Sequence, residues 1–410
     1  MHITIIGAGI GGLTLGLALQ RVGIACDIYE SASELKPVGV GINILPHASQ
    51  FLCNELNLEA ALSENSVITQ ESIFFNRFGQ KIYTEPAGRF GGSDYPQFSI
   101  HRHDLLQVLL SAYEERVGLD HLHLGCTAVS VNELSGTTTF SLRNKTLDDL
   151  LDVPSDGVVG CDGLHSAIRK QLHPNEGSPK YSGVNMWRGV TRGPAFLTGA
   201  SMVRAGWLKT GKMVIYPIRD NIDSAGNQLI NWVAEIETPA QLKRDWNKTG
   251  HLEDFIHAFE GWHFVWLDIP SLIKNADTIL EFPMIDQDPL LFWTRGLTTL
   301  LGDAAHPMYP RGSNGAGQAI LDAQYLANCL AKENDVSKAF ISYEQKRLHE
   351  TTQVVLANRT NPPDAILREV FERSNDKPFD NIDDVISQSE LSDITNRYKK
   401  ITGSDKGTLK

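Results

Sequence analysis

MHITIIGAGIGGLTLGLALQRVGIACDIYE, residues 1–30, decides the fold. Ile3, Thr4, Ile5 and Ile6 form a short β-branched run suited to a buried strand. A glycine turn follows, and then apolar residues recur at helical spacing at Leu13, Leu17, Ala18 and Val22 until Gly23 supplies a stop signal. A second strand, Ala25 to Tyr29, ends in the acid Glu30. Strand, glycine turn, helix, strand and acid, in that order, predict a dinucleotide-binding unit: Gly7 permits the tight turn, Gly9 lets backbone approach a pyrophosphate, and Gly12 lets helix pack on strand. Glu30 follows Gly12 by 18 residues, close to the roughly 20 expected of a carboxylate that receives a ribose diol. The fingerprint alone leaves NAD and FAD open.

Two later segments repeat the logic of an acid at a strand-to-helix switch. GVVGCDGLHSAIRK, residues 157–170, runs from an apolar strand through Asp162 and Gly163 into a helix beginning near His165, with Ser166 placed to serve its amino end. GLTTLLGDAAHPMYPRGSNGAGQAILDA, residues 296–323, runs from a strand at Leu297–Leu301 through Gly302 and Asp303 into a proline and glycine loop and a helix from about Gly315. Open parallel sheets hold ligands at such switches. Pro307 and Pro310 stiffen the second loop, and Gly312, Gly315 and Gly317 strip side chains from it. A bare backbone leading into a positive helix end suits a flat ligand that acquires negative charge.

Composition narrows the classes. The chain has 410 residues, 41% hydrophobic and 21% charged, which suits two joined globular domains. Lys+Arg 37 against Asp+Glu 49 gives a net charge of −12, which argues against nucleic acid and anionic lipid as partners. The 5 cysteines are scattered without a C-x-x-C pair, so no disulfide framework and no metal site is expected, and the setting is read as a reducing cytoplasm. No membrane insertion is expected: the apolar start is broken by five glycines and lacks the basic lead of a secretion signal.

From about 181 to 278 the pattern alternates with period two and is rich in tryptophan, as in VNMWRGVTRG, KMVIYPIRD and LINWVAEIE. That predicts an antiparallel sheet with one covered face. The hairpin ESIFFNRFGQKIYTEP, residues 71–86, is expected to join it, with its turn near Phe78 and Gly79, and 251–259 is read as one helix behind it. Trp187, Tyr216 and Trp232 either line a cavity for an aromatic ligand or fill the sheet's own core. The tail from about 371 is polar and acidic, with weak periodicity at Val385, Ile386, Leu391 and Ile394, and reads as a helical appendage.

Taken together, GAGIGG with Glu30, GVGINILPHA at 39–48, Arg102 in HRHDLLQVLL, GCDGLHSAIR and GDAAHPMYPRGSNGAGQAILDA resemble the single-component FAD-dependent aromatic hydroxylases, the p-hydroxybenzoate and salicylate hydroxylase type, over roughly residues 1 to 365. The middle segment, INWVAEIETPAQLKRDWNKTG and EFPMIDQDPLLFW, most resembles the phenazine hydroxylases that form pyocyanin. The resemblance implies an α/β fold: a Rossmann-type FAD-binding domain, residues 1–70, 98–180 and 279–365, with an inserted antiparallel-sheet substrate domain, 71–97 and 181–278, and a helical tail, 366–410. It implies FAD as cofactor, NADH or NADPH as electron donor, a small aromatic substrate, reaction through a flavin C4a-hydroperoxide, and a monomer or homodimer. Gly7, Gly9, Gly11 and Gly12 would cradle the pyrophosphate, Glu30 the adenosine ribose, and Arg102 the ribityl and phosphate region. Asp162, with Arg169 nearby, would line the route shared by FAD and nicotinamide, and Asp303 would bind the ribityl chain. Pro310 would lie beside the reactive edge of the flavin, with the amides of Gly315, Ala316 and Gly317 facing its N1 and C2 carbonyl. Arg311 stands where many members of that family carry His, Ser313 where many carry Gly, and His47 where Asn is common.

No side chain need act as nucleophile in that chemistry, in keeping with the lack of a G-x-S-x-G elbow, H-E-x-x-H or P-loop. Pro310 and Tyr216 are the candidates nearest the reaction; Tyr216 or Tyr309 would help a phenolic substrate lose its proton, while His306 is read as structural. A simple NAD-linked dehydrogenase explains only the first thirty residues, and a two-cofactor reductase should show a second G-x-G-x-x-G after a strand. A polyketide monooxygenase of the tetracycline type and a flavin protein without hydroxylation remain open.

Overall fold

The computed structural model describes residues 1–36, 39–134, 137–144, 150–238 and 248–403. The β-branched strand His2–Ile6 lies at the centre of a five-stranded parallel sheet, in the order Thr298–Leu300, Gly157–Gly160, His2–Ile6, Ala25–Glu30, Leu122–Leu124. Both faces of such a sheet are covered, so Ile3, Ile5 and Val158 are fully buried. Helix Ile10–Arg21 returns the chain from the first strand to the second and packs against helix Gly315–Lys332. Gly23 follows the first helix with φ +76°, a conformation that glycine adopts without strain. The glycine turn after His2–Ile6 and the two acid-bearing turns after Gly157–Gly160 and Thr298–Leu300 all open at the carboxyl end of this sheet.

The second sheet has eight strands in the order Lys248–Thr249, Ile279–Asp286, Lys180–Gly193, Gln228–Glu237, Gly211–Arg219, Ser201–Trp207, Glu71–Phe75, Lys81–Pro86. The 71–86 hairpin joins at its edge, and its first strand pairs in parallel with Ser201–Trp207. Ile279–Asp286 pairs with Lys180–Gly193, so the sheet runs past the expected boundary at 278. The expected helix at 251–259 is instead two 3₁₀ turns, Leu252–Asp254 and Ile256–Ala258. They place Phe255 and Phe259, both fully buried, against the outer face of the sheet. A short three-stranded sheet, Gly41–Ile44, Phe98–His101 and Ser66–Ile68, bridges the two larger ones.

The tail is not an appendage. Helix Ala365–Arg373 packs on strands Ser201–Trp207 and Glu71–Phe75, where Ile366, Leu367 and Val370 share a buried cluster with Phe74, Ile82, Ile386 and Leu391. Helix Gln388–Thr402 then lies along helix Val336–Thr360, reaches Glu85 with Lys399 at 2.6 Å, and buries Tyr398. Burying these apolar faces, at roughly 25 cal/mol per Å² removed from water, is what holds a polar segment in place. Residues 239–247 of the middle segment and 404–410 of the tail lie outside the described residues.

Candidate active site

At the first turn a Cβ on Gly12 would sit 1.9 Å from the Gly7 carbonyl oxygen, whereas one on Gly9 would meet nothing within 4 Å. Gly12 is therefore required by the protein's own packing, and the space beside Gly9 is left for something else. Helix Ile10–Arg21 starts there with no side chain capping it and no acid in its first turn. Its free N–H groups and positive end face that space, which is the chemistry a pyrophosphate needs. Glu30 Oε2 accepts from Ala8 N at 2.9 Å and Oε1 from Ala32 N at 2.7 Å, so the carboxylate is held at the mouth of the turn.

Asp162 caps the short helix Ala167–Leu172, accepting from Ala167 N at 2.7 Å, while its other oxygen is buried without a partner. Burial pushes its carboxyl up and the capping bonds pull it back. Ser166 accepts from Arg169 N at the same helix end, as expected, although the helix begins at Ala167 rather than near His165. Arg169 is itself buried, paired with Glu176 and donating Nη1 to the carbonyls of Ala304 and Ala305. Asp303, one residue earlier, is exposed, and none of its contacts consumes its carboxylate among the described residues.

The turn that presents Asp303 is fixed from behind. Asp322 Oδ2 accepts from Gly302 N at 3.1 Å and pairs with His306 Nε2 at 2.6 Å, and Oδ1 accepts from Arg347 Nε at 2.7 Å. Burial would raise the Asp322 carboxyl, but His306 and Arg347 overcome it and hold it at about 2. His306 is thus structural in its geometry. Along the loop, Pro310 is exposed in a 3₁₀ turn, and helix Gly315–Lys332 begins with an uncapped end and no acid in its first turn. His47 Nε2 lies 2.9 Å from Asn314 Oδ1; burial drops this imidazole to about 4, so it is neutral at ordinary pH. Arg102 heads helix Arg102–Arg116 with its side chain against Gly39.

The second sheet turns one face to these turns and the other away. Trp187 and Trp232 are on the far face: Trp187 stacks on Phe255 at 4.9 Å and 13°, and Trp232 donates Nε1 to Thr191 at 3.0 Å in the same core. They fill the sheet's core, on the face turned away from these turns. Tyr216 is on the near face, in a cluster with Met186, Met202, Val214, Val233, Met284 and Tyr309 of the 302–315 loop. Burial raises the Tyr216 phenol, with Arg188 beside it pulling against the rise. Sequence reading missed Arg188 and Asn231 on this face, and Asn43 on strand Gly41–Ile44 beside Tyr216. Arg188 is adjacent to Trp187 in a period-two strand, so a tryptophan in the core already puts the arginine on the opposite side.

The three turns, the exposed Asp303 carboxylate and the open cradle at Gly9 fit FAD. The family model described as FAD binding domain matches residues 1–196 and 288–358. The chain belongs to this FAD-binding family and is an FAD-dependent monooxygenase of the aromatic-hydroxylase class, with NAD(P)H and dioxygen as co-substrates. It is 41% identical over 362 residues, 87% of this chain and 89% of the relative, to phenazine 1,6-dicarboxylic acid hydroxylase of Lysobacter antibioticus. It is 32% identical over 358 residues, 87% of each chain, to aurachin C monooxygenase/isomerase of Stigmatella aurantiaca. The fold superposes on Klebsiella pneumoniae HpxO, solved with FAD and uric acid, with a TM-score of 0.75 at 22% identity, covering 98% of this chain and 92% of that one. No helix among the described residues is long and apolar enough to cross a membrane.

Proposed function

We propose that the protein hydroxylates a small N-heteroaromatic or aromatic compound of the phenazine class, bound between the carboxyl end of the parallel sheet and the near face of the second sheet. The observation that carries this reading is the near-complete alignment at 41% identity with a relative named for phenazine hydroxylation. FAD, when bound, would supply the redox chemistry of hydride acceptance from the nicotinamide co-substrate and of dioxygen activation.

The chain's own residues do the rest. The amides of Gly9, Gly11 and Gly12, in the turn opened by Gly7, would bind the pyrophosphate, Glu30 the adenosine ribose, and Arg102 the ribityl and phosphate region. Asp303 would accept from ribityl hydroxyls, and Asp162 would border the path of the nicotinamide. The uncapped helix start at Gly315, Ala316 and Gly317 would hold negative charge that develops on the ring, and Pro310 would fix backbone beside it. Tyr216, raised above its ordinary value, stays a protonated donor toward a substrate oxygen. Met186, Met202, Val214 and Met284 exclude water, which would otherwise divert the reducing equivalents to peroxide. The division into a discontinuous FAD domain and a sheet-based substrate domain is read from the same arrangement, and free, largely buried cysteines support a reducing cytoplasmic setting.

The test is a panel of phenazines, salicylates and hydroxynicotinates scored together for NAD(P)H loss and peroxide formation. Tight coupling with a phenazine is the expected result; coupling only with single-ring acids would replace this substrate class.

A further inference from the structure

His47 is 5% exposed and lies against the first turn of helix Gly315–Lys332. A Cβ on Gly317 would stand 3.2 Å from its Nε2 and 3.1 Å from Asn314 Oδ1, so the bare glycine lets both groups sit against that turn. Asn314 Oδ1 is the acceptor of the pair: it receives Gln318 Nε2 at 3.3 Å as well as His47 Nε2 at 2.9 Å. The proton of the neutral imidazole is therefore on Nε2. Its Nδ1 is left as a lone pair, buried and without a partner among the described residues.

The surrounding charges leave room for one more proton. Burial holds this imidazole at about 4, with the bond to Asn314 opposing the drop and Arg347 adding to it. Arg347, on helix Val336–Thr360, spends its own charge on Asp322 and Glu350, each at 2.7 Å, and reaches Gln318 Oε1 at 2.7 Å. At the other side of the helix start is the Asp303 carboxylate, with Oδ1 3.8 Å from a Cβ built on Gly315. Desolvation is thus the main force that keeps a second proton off His47. A negative charge within about 4–6 Å reverses such a force by roughly 1–3 pH units, so an anion held at the free amides of this helix would bring the proton on between about pH 5 and pH 7.

We propose that His47 takes up a proton on Nδ1 when the bound flavin is reduced, and so offsets the negative charge that reduction places at the start of helix Gly315–Lys332. This rests on the reading that the amides of Gly315, Ala316 and Gly317 face the flavin ring. The balance is one proton beyond the hydride. Hydride from the nicotinamide co-substrate brings two electrons and one hydrogen to the ring and leaves one negative charge there. Solvent supplies the proton that His47 binds, so ring and imidazole together end with no change in net charge. Nε2 keeps its bond to Asn314 throughout, and an unpartnered lone pair becomes a charged donor next to an anion. Asparagine or glutamine at this position could donate to Asn314 but could not titrate.

The experiment measures the midpoint potential of the FAD-loaded protein from pH 5 to pH 8, together with the absorbance of the fully reduced flavin, with no substrate present. Each proton bound on reduction changes the equilibrium tenfold per pH unit, about 30 mV for a two-electron couple. Wild type should bind two protons per two electrons at the acid end and one at the alkaline end, while its reduced spectrum stays that of the anionic ring. H47N and H47Q should bind one proton wherever their reduced spectrum is anionic. The proposal is overturned by a one-proton slope in wild type across the whole range, or by a reduced spectrum that turns to that of the neutral ring where the second proton binds. A two-proton slope that persists in either variant with an anionic ring overturns it as well. Should both variants lose FAD, the wild-type slope and spectrum decide alone. G317A, whose methyl would press on Asn314 and His47, tests the underlying placement. A shifted absorbance of the oxidised flavin in G317A with a one-proton wild-type slope defeats only the role of His47, whereas unshifted absorbance with unchanged FAD affinity shows that this helix start does not face the ring. Because no substrate enters the measurement, a protein that binds the second proton yet couples to no phenazine leaves His47 in its role and defeats only the phenazine reading.

Discussion

Arg169 donates Nη1 to the carbonyl oxygens of Ala304 and Ala305, each at 2.9 Å, and so joins the helix that follows Asp162 to the turn that presents Asp303. Two segments 135 residues apart in the chain are tied by one buried guanidinium, which Glu176 balances at 2.7 Å. Replacing Arg169 with Leu leaves two carbonyls and a carboxylate without their donor. Such a break costs about 3 kcal/mol or more. A lower thermal midpoint and weaker FAD retention are therefore expected together for R169L; an unchanged midpoint with unchanged FAD affinity would show that the two turns are held independently.

Glu30 and Asp303 separate cofactor binding from folding. Asp303 is exposed and makes no bond that the fold needs, and Glu30 orients two backbone N–H groups at the surface of its turn. E30A and D303A should remain folded by circular dichroism while the FAD dissociation constant rises by roughly 10 to 100-fold, the size of a lost charge-assisted hydrogen bond. Both variants holding FAD stoichiometrically at wild-type affinity would refute the placement of the cofactor.

Gly9 and Gly12 give a paired test of the cradle. A methyl group at 12 would collide with the Gly7 carbonyl, whereas one at 9 would point into open space. G12A should lose several kcal/mol or fail to fold, since the conflict is with rigid backbone. G9A should keep the wild-type midpoint and bind FAD more weakly. Equal FAD affinity for G9A and wild type would mean the open space is not where the pyrophosphate lies.

The pH dependence of stability should carry the signature of Asp322. Its folded value of about 2 lies below that of an unfolded aspartate, near 3.9, so the folded state binds the proton less tightly. The stabilisation, about 2–3 kcal/mol, is full above roughly pH 4 and is lost as pH falls toward 2. In urea titrations between pH 6 and pH 3, D322N should be less stable than wild type at the upper end and should lose less on acidification. Parallel curves for the two proteins would mean that His306 and Arg347 do not hold this carboxyl down.

The parallel half of the molecule was legible in the sequence because its signals are local. Strand, glycine turn, helix and acid lie within thirty residues, and the order of the elements follows from that short stretch alone. The second sheet was legible as a sheet but not as a site. Period-two alternation says that Trp187 and Arg188 face opposite ways, but which way faces the three turns depends on Phe255, in a segment that formed two 3₁₀ turns instead of the expected helix. The tail misled for a related reason. Helix Gln388–Thr402 has few apolar residues, and its key contact, Tyr398 with Asn358, spans 40 residues of chain with no local pattern to announce it.

That contact reaches the site. Tyr398 Oη donates to Asn358 Oδ1 at 2.7 Å, and Asn358 Nδ2 donates to the Tyr309 carbonyl at 3.0 Å. A Cβ on Gly312 would fall 1.6 Å from the same Tyr398 oxygen, so the glycine exists to admit it. The loop carrying Tyr309 and Pro310 is therefore braced by the last helix of the chain. Y398F keeps the ring that fills the space and removes only the hydroxyl, so it should cost about 1 kcal/mol of stability. If the brace sets the loop's backbone position, the variant should also release a larger share of consumed NAD(P)H as peroxide at saturating substrate, because a looser loop seals the cavity less well. G312A, which pushes the same hydroxyl away, should give the same leak with the tyrosine present. A stability loss in Y398F without any change in coupling would leave Tyr398 as a packing residue and free the loop from the tail.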